Sequence, residues 1–324
     1  MPDTAPRVRL HDIATATGVA VSTVSRVFTD PDRVSPATVT TVLEAAQRLG
    51  YRRSATRDHS KTAIVMLQGI TNPYLAAVAT GIERQLRTAG CAMTLSLTEE
   101  SADLEHAQLR GHVTRGDGFI VAARHLCDDE LRAFAAATPL VLFNREIEGI
   151  SSVVVDTDAG THQIIEHLAA LGHERIVYAS GPQYSWSEHQ RWSGLVAAAE
   201  ASDIQLTRVG PYLPSLAQGT VAAEAALAHS PTAVIAFNDE IAIGLMNRLR
   251  MRGVDVPGDI SVIGFDDSFG ADFCQPPLTT VGGAADHAGR LAADTLLALI
   301  AGGDAGTQHR VEASLVLRQS TAHA

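Results

Sequence analysis

Residues 15–27 read TATGVAVSTVSRV, in which two short helical patterns flank a single glycine, Gly18. Apolar residues recur at helical spacing and predict a small core between the two helices, formed by Ile13, Ala14, Val19, Val24 and Val27. The outward face of the second helix then carries Val21, Ser22, Ser25 and Arg26. Short polar side chains and an arginine can reach base edges in a DNA major groove, so the stretch predicts a helix-turn-helix. Taken alone, it also fits an ordinary helical hairpin.

The neighbouring sequence favours a separate DNA-binding domain. A third helical pattern follows, with apolar residues at Val39, Val42, Leu43, Ala46 and Leu49, and Leu49-Gly50-Tyr51 closes it. We therefore expect this domain at residues 1–51 and a linker at 52–61. Residues 1–61 contain nine arginine and lysine residues against six aspartate and glutamate residues, whereas the whole chain has a formal net charge of −11. A basic head on an acidic body is typical of a protein that brings one end to DNA phosphates.

The remaining sequence disfavours several classes of protein. No run of about 18 apolar residues predicts a membrane span, and the N-terminus lacks the order of a secretory signal, so we expect a cytoplasmic protein without membrane contact. The three cysteines, Cys91, Cys127 and Cys274, lack the spacing of metal ligands, and we expect no metal. The sequence lacks the loop motifs of phosphate, dinucleotide and hydrolase sites, so we expect neither a cofactor nor an enzyme.

From residue 62 onward, short β-branched runs alternate with longer helical patterns. Strands are predicted at 63–67, 92–97, 118–121, 140–143, 176–179, 233–237 and 261–265. Helices are predicted near 74–89, 102–113, 158–171, 188–201, 218–229 and 239–252. This alternation is typical of doubly wound parallel sheets. The number of units favours two α/β lobes, with a ligand cleft at the carboxyl ends of their strands.

Four short motifs in the head carry a family resemblance. They are His11-Asp12-Ile13-Ala14, Val21-Ser22-Thr23-Val24-Ser25-Arg26-Val27, Arg33-Val34-Ser35 and Leu49-Gly50-Tyr51. In this order and spacing, the chain resembles the LacI family of bacterial transcriptional regulators. The resemblance implies a small all-α helix-turn-helix domain followed by two doubly wound parallel-sheet lobes of the periplasmic-binding-protein type.

The same resemblance implies how the chain is divided and what it binds. Residues 62–324 would form the effector-binding and dimerisation domain, with an N-lobe at about 62–155 plus 284–313 and a C-lobe at about 156–283 plus 314–324. The protein would be a homodimeric repressor on pseudo-palindromic double-stranded operator DNA. A small-molecule effector would control it, and whether that effector releases the DNA or promotes its binding stays open.

Nine residues are expected to contact DNA. They are Arg9, Val21, Ser22, Thr23, Ser25, Arg26, Ser35, Arg57 and His59. Two departures from the family pattern bear on this set. Ala20 stands where a helix-capping serine is usual, and the linker lacks the leucine that wedges into the minor groove, with His59 or Ser60 near its place. We therefore expect a weaker DNA bend than the family norm, with Arg57 or His59 as the alternative minor-groove residue.

Polar side chains follow four predicted strands: Asn72, Asn144, Asn238 and Asp266. Because the carboxyl ends of parallel strands meet at one edge, these groups converge on one crevice. The resemblance assigns ligand contact to Arg191, Asn238 and Asp266, and also to Asn72, Tyr74, Asn144 and Val155. Four aromatic residues lie in the stretch of sequence around Arg191: Tyr184, Trp186, Trp192 and Tyr212. Trp186 is expected to contact the ligand, whereas Trp192 fits ligand contact and packing beneath the cleft equally well.

This residue set favours one effector class and leaves others open. An arginine beside a carboxylate suits vicinal hydroxyl groups, and an aromatic face suits the C–H surface of a sugar, so a sugar or polyol leads. A nucleoside or a phosphorylated metabolite could use the same groups. A cytoplasmic sugar-binding module without a regulatory role is the alternative of a different class, and the DNA-binding head disfavours it.

Overall fold

The computed structural model describes residues 10–29, 33–49, 61–112, 116–122, 125–283 and 285–324. The chain divides between residues 60 and 61 into two compact units. The predicted linker at 52–61 lies outside the described residues except for Lys61. None of the described helices is both long and apolar enough to cross a membrane.

Three helices form the first unit: α1 (Leu10–Thr17), α2 (Val21–Thr29) and α3 (Pro36–Leu49). Their buried core consists of Ile13, Ala14, Val24, Val27, Val42, Ala45 and Ala46, with Val19 packed at its edge. Leu43, which the helical pattern predicts for the core, is instead exposed, and Ala45 is buried. Positions 42, 45 and 46 lie within about 100° of one another around the helix and share one face, whereas position 43 is about 100° from position 42 and lies beyond the edge of that face.

The second unit contains, in chain order, β1 (Thr62–Leu67), α4 (Pro73–Thr88), β2 (Ala92–Leu97), α5 (Ala102–His112), β3 (Gly118–Val121), α6 (Asp128–Ala135), β4 (Leu140–Phe143), β5 (Ser151–Asp156), α7 (Asp158–Ala170), β6 (Arg175–Ala179), α8 (Trp186–Ala201), β7 (Gln205–Val209), α9 (Leu216–Leu227), β8 (Ala233–Ala236), α10 (Asp239–Met251), β9 (Ser261–Phe265), β10 (Thr279–Gly282), α11 (Ala285–Ile300), β11 (Gln308–Glu312) and β12 (Ser314–Val316). These strands form two six-stranded sheets, in the orders β2-β1-β3-β4-β5-β11 and β7-β6-β8-β9-β10-β12. Adjacent strands are parallel except for the antiparallel pair β10 and β12. The predicted α/β class, with two parallel-sheet lobes, is confirmed.

We call the lobe built on the first sheet the N-lobe and the lobe built on the second sheet the C-lobe. The chain passes between them after β5, after β10, and between β11 and β12. All seven predicted strands are present, whereas the pattern does not predict β5, β7, β10, β11, β12, α6 or α11. Three of these, β7, β11 and β12, lie at sheet edges with mostly half-buried or exposed residues. Such strands lack the apolar run that marks a central strand.

Each lobe contains one close helix crossing at paired glycines: Gly81 of α4 with Gly289 of α11, and Gly219 of α9 with Gly244 of α10. A Cβ added at Gly244 would lie 2.1 Å from the carbonyl oxygen of Leu216, which begins α9. A Cβ added at Gly289 would lie 2.3 Å from the Val78 carbonyl oxygen. These helices therefore pack backbone against backbone, and only glycine fits at the crossings.

Gly244→Ala is expected to lower the free energy of unfolding by about 1–3 kcal/mol, because the added methyl group forces α9 and α10 apart. Urea denaturation followed by circular dichroism measures the change. Gly111→Ala is the matched control, since a Cβ at Gly111 in α5 meets no atom within 4 Å. Alanine is there expected to stabilise the helix by up to about 1 kcal/mol. Equal effects of the two substitutions would contradict the close crossing.

Candidate functional site

A cavity of about 260 Å³ lies between the two lobes. The N-lobe contributes Gln68, Asn72, Tyr74, Phe143, Asn144 and Arg145 to its lining. The C-lobe contributes Tyr184, Trp186, His189, Arg191, Asn238 and Asp266. Of the eight residues predicted to bind an effector, all but Val155 therefore lie around one cavity at the carboxyl ends of both sheets.

The centre of the C-lobe wall is a buried ion pair between Arg191 and Asp266. Nη2 of Arg191 lies 2.8 Å from Oδ1 of Asp266, and each side chain is 8% exposed. Nη1 donates a hydrogen bond to the carbonyl oxygen of Phe237. The guanidinium carbon also lies 4.8 Å and 4.5 Å from the ring centres of Phe237 and Phe265. The rings and the pair hold the guanidinium in one orientation, with planar donors next to a carboxylate acceptor.

Two of the strand-end residues adopt left-handed backbone conformations. The φ angle is 51° at Asn144 and 105° at Asp266, a region that residues other than glycine seldom adopt. Asn144 accepts a hydrogen bond at Oδ1 from the Val155 amide at 2.9 Å and donates from Nδ2 to the Tyr74 hydroxyl at 3.2 Å. Val155 thus lies behind the cavity wall, where its backbone orients Asn144. Burial, reinforced by the Asp266 charge, raises the pKa of Tyr74, so its hydroxyl stays protonated.

Three helices begin at the cavity. Asn72 caps α4 by accepting from the amides of Tyr74 at 2.9 Å and Leu75 at 3.4 Å. Ser185 caps α8, and Asn238 caps α10. A helix N-terminus carries a partial positive charge and favours electron-rich ligand atoms. Because Oδ1 of each capping asparagine is bonded to its own helix, the amide nitrogen is the group that each can offer elsewhere.

The aromatic residues of the C-lobe divide into two groups. Tyr184 and Trp186 line the cavity. Trp192 instead stacks on Tyr178, with ring centres 5.7 Å apart, beneath the guanidinium of Arg208. Tyr212 is buried and does not line the cavity either. Of the two roles that the sequence left equal for Trp192, packing is therefore the one that its contacts support.

Sequence reasoning missed two contacts that cross the cleft. Asn72 in the N-lobe donates from Nδ2 to Oε2 of Glu240 in the C-lobe, at 2.9 Å. The second contact joins His125 of the N-lobe to Tyr184 of the C-lobe, with the two ring centres 4.5 Å apart. The only available signal was position, since His125 follows β3 and Glu240 follows β8, at the carboxyl end of each strand.

His125 is held in place by a buried carboxylate. Oε2 of Glu105 accepts from the amides of His125 at 2.8 Å and Leu126 at 3.2 Å. Oε1 lies 3.1 Å from Nδ1 of the His125 ring. Glu105 is completely buried, so these contacts replace the water it loses on folding. The imidazole that meets Tyr184 therefore has a defined orientation.

The second arginine of the cavity is also paired. Arg145 donates from Nη1 to the Leu126 carbonyl oxygen at 2.7 Å and from Nη2 to Asp128 at 2.6 Å. The two arginines that line the cavity, Arg191 and Arg145, are thus each paired with a carboxylate of the protein. Within the described part of the chain, no three His, Cys, Asp or Glu side chains are grouped to hold a metal ion.

The first unit presents part of the predicted DNA-contacting set on its surface. Val21, Ser22 and Arg26 of α2 are exposed, while Thr23 and Ser25 are half-buried. Ser35 is exposed, and its hydroxyl accepts from the Thr38 amide at 3.3 Å, so it caps the start of α3. The carbonyl oxygen of Ala20 accepts from the amides of Thr23 and Val24 in the first turn of α2. Arg9, Arg57 and His59 lie outside the described residues.

Known protein families match both units of the chain, and named regulators match it along nearly its full length. Residues 9–54 match the family "Bacterial regulatory proteins, lacI family", and residues 165–321 match the periplasmic binding protein-like domain. The chain is 33% identical to the transcriptional regulator MalR of Streptomyces coelicolor, across 98% of this chain and 97% of MalR. It is 29% identical to the transcriptional repressor CytR of Escherichia coli, across 96% of each chain.

Two solved structures of regulators superpose on nearly the whole chain. The Lac repressor dimer bound to operator and the anti-inducer ONPF superposes with a TM-score of 0.78 at 27% identity, covering 98% of this chain and 99% of the repressor. The complex of the regulator CelR with cellobiose superposes with a TM-score of 0.73 at 28% identity, covering 97% of this chain and 100% of CelR. With both units matched in one chain order, the chain belongs to the lacI family of bacterial regulatory proteins, whose members are transcriptional regulators and not enzymes.

Proposed function

We propose that this protein is a cytoplasmic, non-catalytic transcriptional repressor whose operator binding is controlled by a neutral sugar or polyol in the cavity between the lobes. The observation that carries the effector class is the buried Arg191–Asp266 pair in the cavity wall. It offers donors and an acceptor side by side, as two adjacent hydroxyl groups require. Tyr184 and Trp186 add aromatic faces for the C–H surface of a sugar ring.

Charge and size favour a neutral, compact effector over a phosphorylated metabolite. Arg191 and Arg145 are already bonded to Asp266 and Asp128, so a phosphate group would have to displace a carboxylate or bring two extra negative charges beside it. A cavity of about 260 Å³ is slightly smaller than the roughly 300–1,000 Å³ typical of ligand sites, which favours a compact effector. Among relatives with solved structures, one regulator is bound to ribose and another to D-xylulofuranose.

A thermal-shift screen tests the effector class. Ribose, xylulose, cellobiose, glycerol, nucleosides and sugar phosphates are added to the full-length protein, because a ligand that binds only the folded state raises the melting temperature. A sugar or polyol hit supports the proposal, and it must be lost in Asp266→Asn but kept in Asp304→Asn, which changes an exposed aspartate. A hit confined to nucleosides or sugar phosphates would overturn the effector class. Gel-shift titration of operator DNA with the hit then shows whether the effector releases DNA.

Two copies of the chain would bind one operator. Phe269 and Phe273 of the C-lobe form an edge-to-face pair with ring centres 4.9 Å apart, and they are 80% and 61% exposed. An exposed aromatic pair marks a surface for a protein partner. The related Lac repressor is a dimer on its operator. A second copy of this chain is therefore the partner that we expect to cover this pair, which would bring two heads to two half-sites of a pseudo-palindrome.

Arg26→Ala is expected to weaken binding to the cognate operator by about 1–3 kcal/mol and to relax base preference at one position in each half-site. The reason is that an exposed arginine on α2 can bond bidentately to guanine. Fluorescence anisotropy on a set of operators with single base changes measures both effects at fixed salt. Arg48→Ala, at an exposed position of α3, is the matched control and should leave base preference unchanged. Equal losses on cognate and scrambled DNA would make Arg26 a phosphate contact instead.

A further inference from the structure

We propose that Glu240 is a positioning residue for effector binding: its carboxyl group crosses the cleft to Asn72 and holds the two lobes in the closed arrangement that completes the cavity. The inference rests on the proposed role of this cavity as the effector site. Glu240 lies in the first turn of α10, two positions after the capping residue Asn238. It is not one of the residues lining the cavity, so its effect on a ligand passes through the position of the lobes.

The hydrogen bonds of the Asn72 side chain fix its orientation and direct its amide nitrogen toward Glu240. Its Oδ1 accepts from two amides at the start of α4, which fixes the plane of the side-chain amide. Nδ2 is then directed away from α4, and its partner is Oε2 of Glu240 at 2.9 Å. The donor belongs to the N-lobe and the acceptor to the C-lobe. Any rotation that opens the lobes must break this hydrogen bond, whereas the caps on α4 and α10 can persist.

The groups around Glu240 determine which protonation state favours closure. Asp266, at the end of β9, is the nearby negative charge that acts on it, and Asn238 and Asn72 supply hydrogen bonds. Arg191 pairs with Asp266 in the C-lobe wall, the Asp266 charge also acts on Tyr74 of the N-lobe, and Asp239 precedes Glu240 on α10. Burial, followed by the Asp266 charge, raises the pKa of Glu240 from 4.5 to about 7.

Opening the cleft reduces the burial of Glu240, the largest cause of its raised pKa, so the pKa falls from about 7, while the Asp266 charge in the same lobe continues to act on it. The closed form therefore binds the proton more tightly, and closure takes up a proton. Closure is most favoured at pH values below the open-form pKa of Glu240 and becomes less favoured as the pH rises toward about 7. Asp239 also has its pKa raised to about 7 by burial and by Asp266, but it is bonded within the C-lobe to Thr280 and Ser268. Its protonation does not depend on the contact with Asn72.

The protein contains its own probe of closure. It has two tryptophans, and Trp186 lines the cavity while Trp192 packs on Tyr178. Full-length Trp192→Phe leaves Trp186 as the only tryptophan, and acrylamide quenching then measures how accessible the cavity is. No ligand is needed, so this measurement is independent of the sugar screen. In this background we expect the quenching constant to rise at least twofold from pH 5 to pH 8.

Three variants and one control test whether Glu240 causes the rise in the quenching constant. Glu240→Gln is uncharged and still accepts from Asn72, so its quenching constant should stay low at both pH values. Glu240→Ala should give a high constant at both, and Asn72→Ser, which keeps a capping hydroxyl but is too short to reach Glu240, should do the same. Glu166→Gln, at an exposed site on α7, should follow the parent protein. A wild-type pH profile in Glu240→Gln, or a low constant at pH 5 in Glu240→Ala, overturns the proposal.

The same variants predict effector affinity. If only the closed form binds tightly, the apparent Kd increases in proportion to the loss of closed protein. With any sugar found in the screen, Glu240→Ala should therefore weaken binding severalfold at pH 5, and Glu240→Gln should restore it. Recovery by glutamine distinguishes closure from a structural defect of α10, because both substitutions remove the charge and only alanine removes the acceptor. Unchanged affinity in Glu240→Ala would contradict a positioning role.

Discussion

Arg191→Met is expected to weaken effector binding by about 2–5 kcal/mol, or roughly 30-fold to several thousandfold, which is the largest effect that we expect at the cavity. The substitution removes the guanidinium and leaves the buried Asp266 carboxylate without its partner. Methionine preserves most of the volume between the Phe237 and Phe265 rings, so the loss is electrostatic and not a packing defect. Isothermal titration calorimetry with the sugar or polyol from the thermal-shift screen measures it.

A double-mutant cycle separates pairing from ligand contact. Asp266→Asn and the double variant Arg191→Met/Asp266→Asn complete the cycle, and a coupling energy well above zero is expected for adjacent charges. Arg208→Met is the matched control, because Arg208 also pairs with a buried acid, Glu188 at 2.7 Å, but does not line the cavity. It should change the melting temperature and leave effector affinity nearly intact. Similar losses of affinity in Arg191→Met and Arg208→Met would contradict ligand contact by Arg191.

Phe269→Asp is expected to convert the protein from dimer to monomer and to weaken operator binding by 10²- to 10⁴-fold, the range by which linked binding exceeds single-site binding. The charge would stand in the middle of the surface that the Phe269–Phe273 pair presents to a second copy. Sedimentation equilibrium gives the oligomeric state, and gel shift gives the operator affinity. Because Phe269 is 80% exposed, aspartate there should leave the fold of the monomer intact.

The control for dimer formation lies on the N-lobe. Leu104 of α5 is 37% exposed and lies outside the Phe269–Phe273 surface, so Leu104→Asp should leave the dimer unchanged. A Phe269→Asp variant that remains dimeric would show that another surface joins the two copies. In that case the operator affinity should also stay close to that of the unmodified protein.

Within the described residues of the first unit, the three helices could be predicted from sequence, because they depend on local periodicity. Gly18, in the turn between α1 and α2, has a φ of 69°, which glycine adopts without a steric penalty. The core of the head follows the apolar spacing except at Leu43. Leu43 differs because the apolar residues of α3 cover a wide part of the helix surface. Only the packing of α3 against α1 and α2 decides which of them are buried.

The cavity was predictable to the extent that it depends on strand ends. Asn72, Asn144, Asn238 and Asp266 each follow an apolar run, and parallel strands bring such positions to one edge of a sheet. Val155 shows the limit of that reasoning. Its side chain belongs to the buried face of β5, and its contribution is a backbone amide bonded to Asn144, a role that any residue except proline can fill.

Local sequence thus specified seven of the strands and most of the helices, the fold class and the polar strand ends, because each depends on short-range periodicity and on the geometry of parallel sheets. Tertiary structure alone paired Asn72 with Glu240 and His125 with Tyr184, which are separated by 168 and 59 positions in the chain. Neither pair has a spacing or composition that marks it in the sequence. They meet because the chain passes three times between the lobes, and the angle between two rigid lobes decides which loops face each other across the cleft.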